Sequence, residues 1–520
     1  MRMRFLGGLS AIGGSCLLLE DEEQALLIDA GASNTAHGPG FPDFGILRDL
    51  GKKLQTVCIT HAHFDHAGAA GFLHDIYPGL TFIGSRETLA FLHGRYSLPK
   101  SAPVQAAAAG EGIARGNWEI TPLAVRHSIP GALALHIAAP SGRVLISGDF
   151  RSFADPAALA RFASPDIFIC ESTNAGLPPS PDREEAVHAE LCAIIARHAR
   201  ARVLFTCFSS NLARLAAVLL AARDAGVKVY TDSEAMRNAC AIAREIYADP
   251  LWGPYPALPG KDFPESCLVL SSGSQGEEGS RLLALLKNGF LARSEDALIL
   301  SAAPIPGNEG DWRFLADTAA CGPARLYLPP LSPVHISGHA CRDELAAALE
   351  IMQPGLVIPV HGQRYQRRRL AELAAERGIE SRIPDDEESI SLDEGKVTFH
   401  RDPPSGPCRA KDEFLSGAQE RRNLARFGIA FIVLICDRER RSVRARISVR
   451  GFFRNDANTD FIEESCRILE AEVLELWSQG IFAHTRIRRM LQEKMAARFL
   501  EGFALAPLVS VLYHELSSPA

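Results

Sequence analysis

Over the first 150 residues, apolar positions come in short runs broken by turn-forming residues. Ser15–Glu20, Gln24–Asp29, Thr56–Thr60, Leu80–Ile83 and Val144–Ser147 are strand-length apolar stretches, which predicts β-strands with few helices between them. From about residue 185 the period changes. Glu184–Ala199, Asn211–Ala225 and Glu234–Tyr247 carry apolar residues at helical spacing, with the strand-like runs Arg202–Cys207 and Val227–Thr231 between them. Helices alternating with strands predict a small α/β layer with a parallel sheet. Strand character returns between 325 and 400 around Leu356–Val360 and ends in a Pro/Asp/Glu-rich turn at Ile383–Glu388. Beyond the Pro/Ser/Gly-containing stretch Asp402–Pro407, two more helices are expected at Asp460–Gln479 and Thr485–Leu500.

A chain of 520 residues is too long for one ordinary domain. An apolar fraction of 47% with 22% charged residues excludes wholesale disorder and collagen-like repeats. The net charge of −7 excludes a general polyanion binder, so any nucleic-acid surface must be local. One local excess exists: Arg421 to Arg454 holds ten Arg against two acidic residues, Asp437 and Glu439. No apolar run reaches the roughly 18 residues of a membrane-spanning helix. The apolar N-terminus is interrupted by Gly7, Gly8, Gly13 and Gly14 and runs into Glu20-Asp21-Glu22-Glu23, which reads as a first strand pair rather than a signal peptide. Twelve cysteines lie scattered singly without a C-x-x-C pair, which fits a reducing, cytoplasmic setting and no thiolate zinc site.

Chemistry concentrates in Thr60-His61-Ala62-His63-Phe64-Asp65-His66-Ala67-Gly68, directly after an apolar strand. Two His at i and i+2 leaving a strand can point to one metal, while Asp65 and His66, at the start of the next helix, can serve a second. Four ligand-type side chains in six residues are costly unless a cation neutralises and orders them. Further donors stand at the ends of later apolar runs: His127 in Val125-Arg126-His127-Ser128, Asp149 in Leu145-Ile146-Ser147-Gly148-Asp149, and His361 in Ile358-Pro359-Val360-His361. A carboxylate at Asp149 could bridge both metals. All are N and O donors, so zinc and manganese both stay open.

In their order along the chain, the HAHFDH motif, His127, Asp149 and His361 resemble the metallo-β-lactamase fold, an αββα sandwich with a two-metal cleft. The wide gap between Asp149 and His361 implies an inserted domain. Cys170-Glu171-Ser172-Thr173-Asn174-Ala175 resembles the motif that opens a β-CASP insert, and Val334-His335-Ile336-Ser337-Gly338-His339-Ala340 the one that closes it. Within β-CASP proteins the sequence is most similar to bacterial ribonuclease J. That likeness extends over Phe208-Ser209-Ser210-Asn211, Gly273-Ser274-Gln275-Gly276-Glu277, Ile305-Pro306-Gly307-Asn308-Glu309, and the tail around Phe427–Ile435, Ser448-Val449-Arg450-Gly451-Phe452 and the last helices.

The resemblance implies a metallo-β-lactamase domain at 1–190, a β-CASP insert at 191–335, a return segment at 336–400, a linker at 401–410 and a small α+β C-terminal domain at 411–520. It implies two divalent metals, zinc foremost and manganese the alternative. One would sit on His61, His63 and His127, the second on Asp65, His66 and His361, with Asp149 bridging. Asp65, His339 and Glu171 are the expected catalytic residues, His339 as proton donor and Glu171 as its orienting partner. Ser337, Gly338, His335, Gly273 and Ser274 are the expected contacts for a 5′-phosphate or RNA. The implied activity is 5′-to-3′ exonucleolytic hydrolysis of RNA from monophosphate ends, with endonuclease action as a further mode, by a homo-oligomer (dimer or tetramer) with no membrane association. The Arg421–Arg454 region would help assembly or RNA approach. A DNA-directed 5′ exonuclease would use the same site, and a small-molecule ester or thioester hydrolase shares the HxHxDH core. A non-enzymatic paralogue would lack ligands that are present here. Three positions depart from the family pattern: Phe64, Gly131 where an Asp is usual, and Glu234 where an Arg is usual.

Overall fold

Strand Cys16–Glu20 returns through a hairpin into Ala25–Ile28, pairing Leu17 with Ile28 and Leu19 with Leu26. Leu17, Leu19, Leu26 and Ile28 enter one hydrophobic core while Leu18 and Leu27, pointing the other way, enter a second. A sheet buried on both faces needs apolar residues at every position, which is why these runs read as continuous rather than alternating. The computed structural model describes residues 1–35, 38–179, 183–260, 263–277, 279–305, 308–402, 428–450, 458–503 and 507–515. The linker beyond Asp402, Phe427, Gly451, Phe452, Pro306 and Gly307 lie outside them.

Two sheets face each other. The first has eight strands in the order Lys396–Arg401, Glu388–Asp393, Arg2–Gly7, Cys16–Glu20, Ala25–Ile28, Leu54–Cys58, Thr81–Gly84 and Val104–Ala106. The second runs Ser152–Phe153, Trp118–Arg126, Leu133–Ala139, Gly142–Ile146, Ile167–Glu171, Leu356–Val360 and Glu380–Ser381, with Ile113–Arg115 beside Trp118–Arg126. Leu17, Ile28, Ile120, Ile137, Ile146, Ile169 and Ile358 fill the space between them. Helices Ala70–Ile76 and Arg86–Arg95 cover the outer face of the first sheet through Leu73, Phe91 and Leu92. Helices Arg342–Met352 and Arg364–Ala375 cover the second through Leu349 and Leu373, completing an αββα sandwich.

Glu171 pairs in parallel with Val360, so the chain leaves the second sheet at one strand and returns at its neighbour. The excursion is a five-stranded parallel sheet in the order Val229–Thr231, Cys267–Ser271, Arg202–Thr206, Ala297–Leu300 and Arg325–Tyr327, flanked by helices. Its core continues into the helical layer of the sandwich, because Val203, Leu215 and Met236 belong to the same cluster as Phe91. Helix Glu184–Arg197 runs through the expected 190/191 boundary.

The expected elements 184–199, 211–225 and 234–247 correspond to helices Glu184–Arg197, Leu212–Asp224 and Glu234–Tyr247. The few helices before residue 150 include Ala70–Ile76 and Arg86–Arg95, which the apolar pattern did not place. The second of these is set by local chemistry rather than by a clean apolar stripe: Ser85 caps it, its hydroxyl accepting from the Thr88 amide at 3.0 Å.

The chain forms two compact units, and the described residues beyond 427 belong to the second, a three-stranded sheet, Ser442–Arg450, Ile429–Asp437 and Leu508–Glu515, on helices Thr459–Ser478 and His484–Phe503. Ile432, Leu434, Leu469, Leu476, Leu491 and Phe499 form its own core. On the other face Phe431, Val433, Ile435 and Leu512 are exposed, beside the exposed Arg444 and Arg446.

Candidate metal centre and active site

Five strands of the sandwich deliver their ends to one place. His61 and His63 follow Leu54–Cys58, and Asp65 and His66 lie on the single helical turn Phe64–Ala67 behind it. His127 follows Trp118–Arg126, Asp149 follows Gly142–Ile146, Glu171 ends Ile167–Glu171, and His361 follows Leu356–Val360. Ligand-capable atoms of His61, His63 and His127 form one group within 4.8 Å of one another, and those of Asp65, His66, Asp149 and His361 a second.

The far nitrogens of four of these rings are engaged, which fixes how those rings face the centre. His127 Nδ1 donates to the Gly338 carbonyl at 2.8 Å. His66 Nδ1 donates to Asp29 Oδ2 at 2.7 Å. His61 Nδ1 donates at 3.2 Å to the Thr60 hydroxyl, which in turn donates to Asp29 at 2.9 Å. His361 Nδ1 donates to the Thr173 hydroxyl at 2.9 Å, and that hydroxyl donates to the His361 carbonyl at 3.1 Å. The inward nitrogens then crowd: His63 Nδ1 is 3.2 Å from His61 Nε2 and 3.0 Å from His127 Nε2. One imidazole proton can serve only one of two such neighbours.

Asp149 is 1% exposed, and neither carboxylate oxygen has a hydrogen-bond partner among the described residues. Its Oδ2 lies 3.2 Å from His66 Nε2 and 3.8 Å from His61 Nε2, and its Oδ1 3.4 Å from His361 Nδ1. Asp65 Oδ2 lies 3.1 Å from His361 Nε2. Burying a carboxylate such as that of Asp149 without a hydrogen-bond partner, and converging imidazole lone pairs beside it, costs several kcal/mol each, roughly, unless cations pair with them. An N/O donor set with an orphaned buried carboxylate fits divalent metal.

Electrostatics divides the rings. Burial, then the neighbouring imidazoles, hold His61 and His63 well below the ordinary histidine value and His127 at about 4. Burial also opposes charge on His66, yet Asp149 and Asp29 outweigh it and raise that pKa well above the ordinary value. At His339 burial is outweighed by Glu171 and Asp149, which lift it to about 9. His339 Nδ1 sits 3.1 Å from Glu171 Oε2.

Comparison with known proteins assigns this arrangement. Residues 10–184 match the metallo-beta-lactamase superfamily, 200–314 the ribonuclease J beta-CASP domain, 331–384 the Zn-dependent metallo-hydrolase RNA specificity domain, and 418–516 the ribonuclease J C-terminal domain. Ribonuclease J of Mycolicibacterium smegmatis is 30% identical over 408 residues, covering 73% of this chain and 72% of that protein. This chain belongs to the ribonuclease J family. Ribonuclease J of Mycobacterium tuberculosis is 27% identical over 542 residues, spanning 98% of this chain and 96% of the relative. A crystal structure of a protein of unknown function from Enterococcus faecalis V583 shares the fold, with TM-score 0.54 and 16% identity over 77% of this chain and 99% of that one. The chain is thus a metal-dependent ribonuclease with RNA as substrate, built as a metallo-β-lactamase domain with a β-CASP insert and a C-terminal domain. Among the described residues no helix is long and apolar enough to cross a membrane.

The residues expected to contact a 5′-phosphate in this ribonuclease J family member fall into two sets. Ser337 accepts from Asn174 Nδ2 at 2.9 Å, and Gly338 packs against Ser128 and His127. The loop holding Gly273 and Ser274 packs instead on residues 280–282, and its Gln275 bonds Ala303 and Ile305. His335 has a buried Nδ1 without a partner among the described residues, and burial, reinforced by Arg214, holds it near about 3. The departures are accommodated. Gly131 has φ +74°, and a Cβ there would lie 2.3 Å from Ser85 Oγ and 2.8 Å from Glu87 Cβ, so an Asp here would be strained and would displace the side chains at the start of helix Arg86–Arg95. Glu234 is the exposed first residue of its helix, where a carboxylate suits the helix dipole. Phe64 packs against the core, its ring 6.5 Å from that of Tyr96.

Sequence reasoning missed Asp29, Thr60, Thr173 and Asn174. Asp29 had a usable signal: it closes the apolar strand Ala25–Ile28 just as Asp149 follows Gly142–Ile146. Thr60 and Thr173 carried none, because a hydroxyl acting through a ring nitrogen leaves no spacing signature.

Proposed function

We propose that this ribonuclease acts 5′-to-3′ on monophosphorylated RNA ends, with internal cleavage as a second mode, using two divalent cations, zinc foremost and manganese the alternative. The observation that supports this most is the gathering of six further N/O donor residues with the orphaned carboxylate of Asp149, and the His339–Glu171 pair beside them. His61, His63 and His127 would hold one cation, Asp65, His66 and His361 the other, and Asp149 both. When bound, such cations lower the pKa of water and neutralise charge that builds on a phosphoryl group.

The chain's own residues do the rest. Asp29, Thr60, Thr173 and the Gly338 carbonyl keep the rings turned inward, which spares reorganisation at the moment of reaction. Glu171 holds the His339 Nδ1 proton, so Nε2 is the atom that gives a proton to the departing oxygen. Ser337, Gly338, His335, Gly273 and Ser274 remain our assignment for the 5′-phosphate. Homo-oligomeric assembly and a cytoplasmic location complete the reading.

One labelled RNA bearing a 5′-monophosphate, 5′-triphosphate or 5′-hydroxyl, with a DNA copy alongside, tests it in zinc or manganese. Rapid release of mononucleotides from the monophosphate RNA alone is expected. Internal cuts indifferent to the 5′ end would remove the phosphate pocket, and equal cleavage of DNA would remove the RNA preference.

A further inference from the structure

Arg214, on helix Leu212–Asp224 of the insert, is only 1% exposed, and a buried guanidinium must find acceptors for its N–H groups. Its acceptors lie where the chain enters the insert and where it leaves. Nη2 donates to Glu184 Oε1 at 2.6 Å, and Glu184 is the first residue of the entry helix. Nη1 donates to the Val334 carbonyl at 2.9 Å and to the Ser301 hydroxyl at 2.9 Å, and that hydroxyl also donates to Val334 at 2.6 Å. Val334 opens the segment that carries the chain back to the sandwich.

From Val334 to Ala340 the backbone forms neither helix nor strand, so side chains must hold it. At its far end it is tied to the sandwich. Asn174 Nδ2 donates to Ser337 Oγ, the Gly338 carbonyl accepts from His127 at 2.8 Å, and the Ala340 amide donates to the Phe150 carbonyl at 2.7 Å. His339 therefore stands on a short span pinned by Arg214 at one end and by the metal-facing strands at the other.

We infer that Arg214 is a positioning residue: it clasps both crossings between sandwich and insert and so sets where His339 stands against Glu171. The role of His339 rests on the ribonuclease reading above; the clasp itself does not. A lysine at 214 keeps the charge but loses the planar fork that reaches three acceptors at once.

The test measures kcat and KM on 5′-monophosphate RNA for Arg214→Lys and Ser301→Ala, each in the wild-type and the His339→Ala background. Amide hydrogen exchange over residues 335–340 and metal content are read alongside. Displacing a reacting group slightly costs kcat about 10- to 100-fold, with KM little changed. We expect that loss in the wild-type background, less than about twofold loss where His339 is already absent, faster exchange at His339 and Ala340, and unchanged metal content. Equal losses in both backgrounds, or unchanged exchange in the folded variants, would overturn the inference. Should Arg214→Lys fail to fold, Ser301→Ala, which removes one hydroxyl, carries the decision. If the wild-type chain cleaves no RNA, the ribonuclease reading falls, while the exchange data still decide the clasp.

Discussion

Asp29 faces no metal directly, yet it accepts from the Thr60 amide, the Thr60 hydroxyl and His66 Nδ1 at 2.7 to 3.0 Å. It has φ +62°, a left-handed backbone that costs a non-glycine residue roughly 1–3 kcal/mol and that these bonds offset. Asp29→Asn should weaken metal affinity about 10- to 100-fold, measured by competition with a chelator. Asp65→Ala should abolish hydrolysis while RNA binding, read by gel shift, stays within a few-fold of wild type. Normal turnover by folded Asp65→Ala would sink the two-metal assignment. A third residue, remote from the site, contributes to acid stability. Burial, then Arg143, holds His136 at about 4, and its buried Nε2 has no partner among the described residues. Its folded pKa lies below its unfolded value of about 6.5, so the unfolded chain binds the extra proton. Its contribution is whole above pH 6.5 or so and is lost as pH falls toward 4. His136→Phe, whose ring can keep the contact with Phe162, should flatten that part of the melting-temperature profile relative to wild type. At this scale the ligands were legible because metal chemistry demands particular side chains at particular spacings, and Asp29 could have been read from its place at a strand end, while Thr60 and Thr173 could not, because their hydroxyls act through a ring.

A four-residue helix such as Phe64–Ala67 cannot hold itself together in water. Its carbonyls are taken up by two adjacent segments: Ser15 N donates to Asp65 O, and from residues 30–32 Ala32 N donates to Phe64 O and Ala30 N to His66 O, at 2.8 to 3.0 Å. The first sheet thus fixes Asp65 and His66 through main chain. Gly31 makes the approach possible, since a Cβ there would lie 1.8 Å from the Asp65 carbonyl oxygen. Because that obstacle is backbone, Gly31→Ala must push the turn away. It should cost about 1–3 kcal/mol in denaturant unfolding and lower metal occupancy together. Loss of stability with full metal occupancy would mean the turn is not what seats Asp65. The motif showed that ligands cluster here, but the pairing with residues 30–32 joins distant segments, and no local pattern encodes it. Strand periodicity likewise identified Leu356–Val360 but not its place beside Ile167–Glu171, which depends on the whole insert closing behind it.

Two contact units divide the molecule, one holding residues 1–34 and 39–402 and the other 35–38 and 403–520. The insert is not a third, because its apolar residues share a core with the helices covering the first sheet. Composition led us to expect a break at the Pro-containing stretch after His400, where apolar periodicity stops. It could not predict a shared core, since two amphipathic surfaces that bury each other look the same in sequence as two that do not. The C-terminal unit has its own core around Ile432, Leu469 and Phe499, so removing residues 408–520 should leave the first unit folded and its metal content unchanged. Arg444, Arg446 and Arg450 are exposed on strand Ser442–Arg450, and no ion pair engages them among the described residues. If these three meet phosphates, each contributes about 0.7 to the slope of log affinity against log salt for single-stranded RNA. Truncation should then reduce that slope by about 2, measured by filter binding across a salt series with chelator present to block cleavage. An unchanged slope would remove the C-terminal arginines from the RNA path. A truncated protein stripped of metal would show instead that the metal centre depends on the C-terminal unit, against the separate cores.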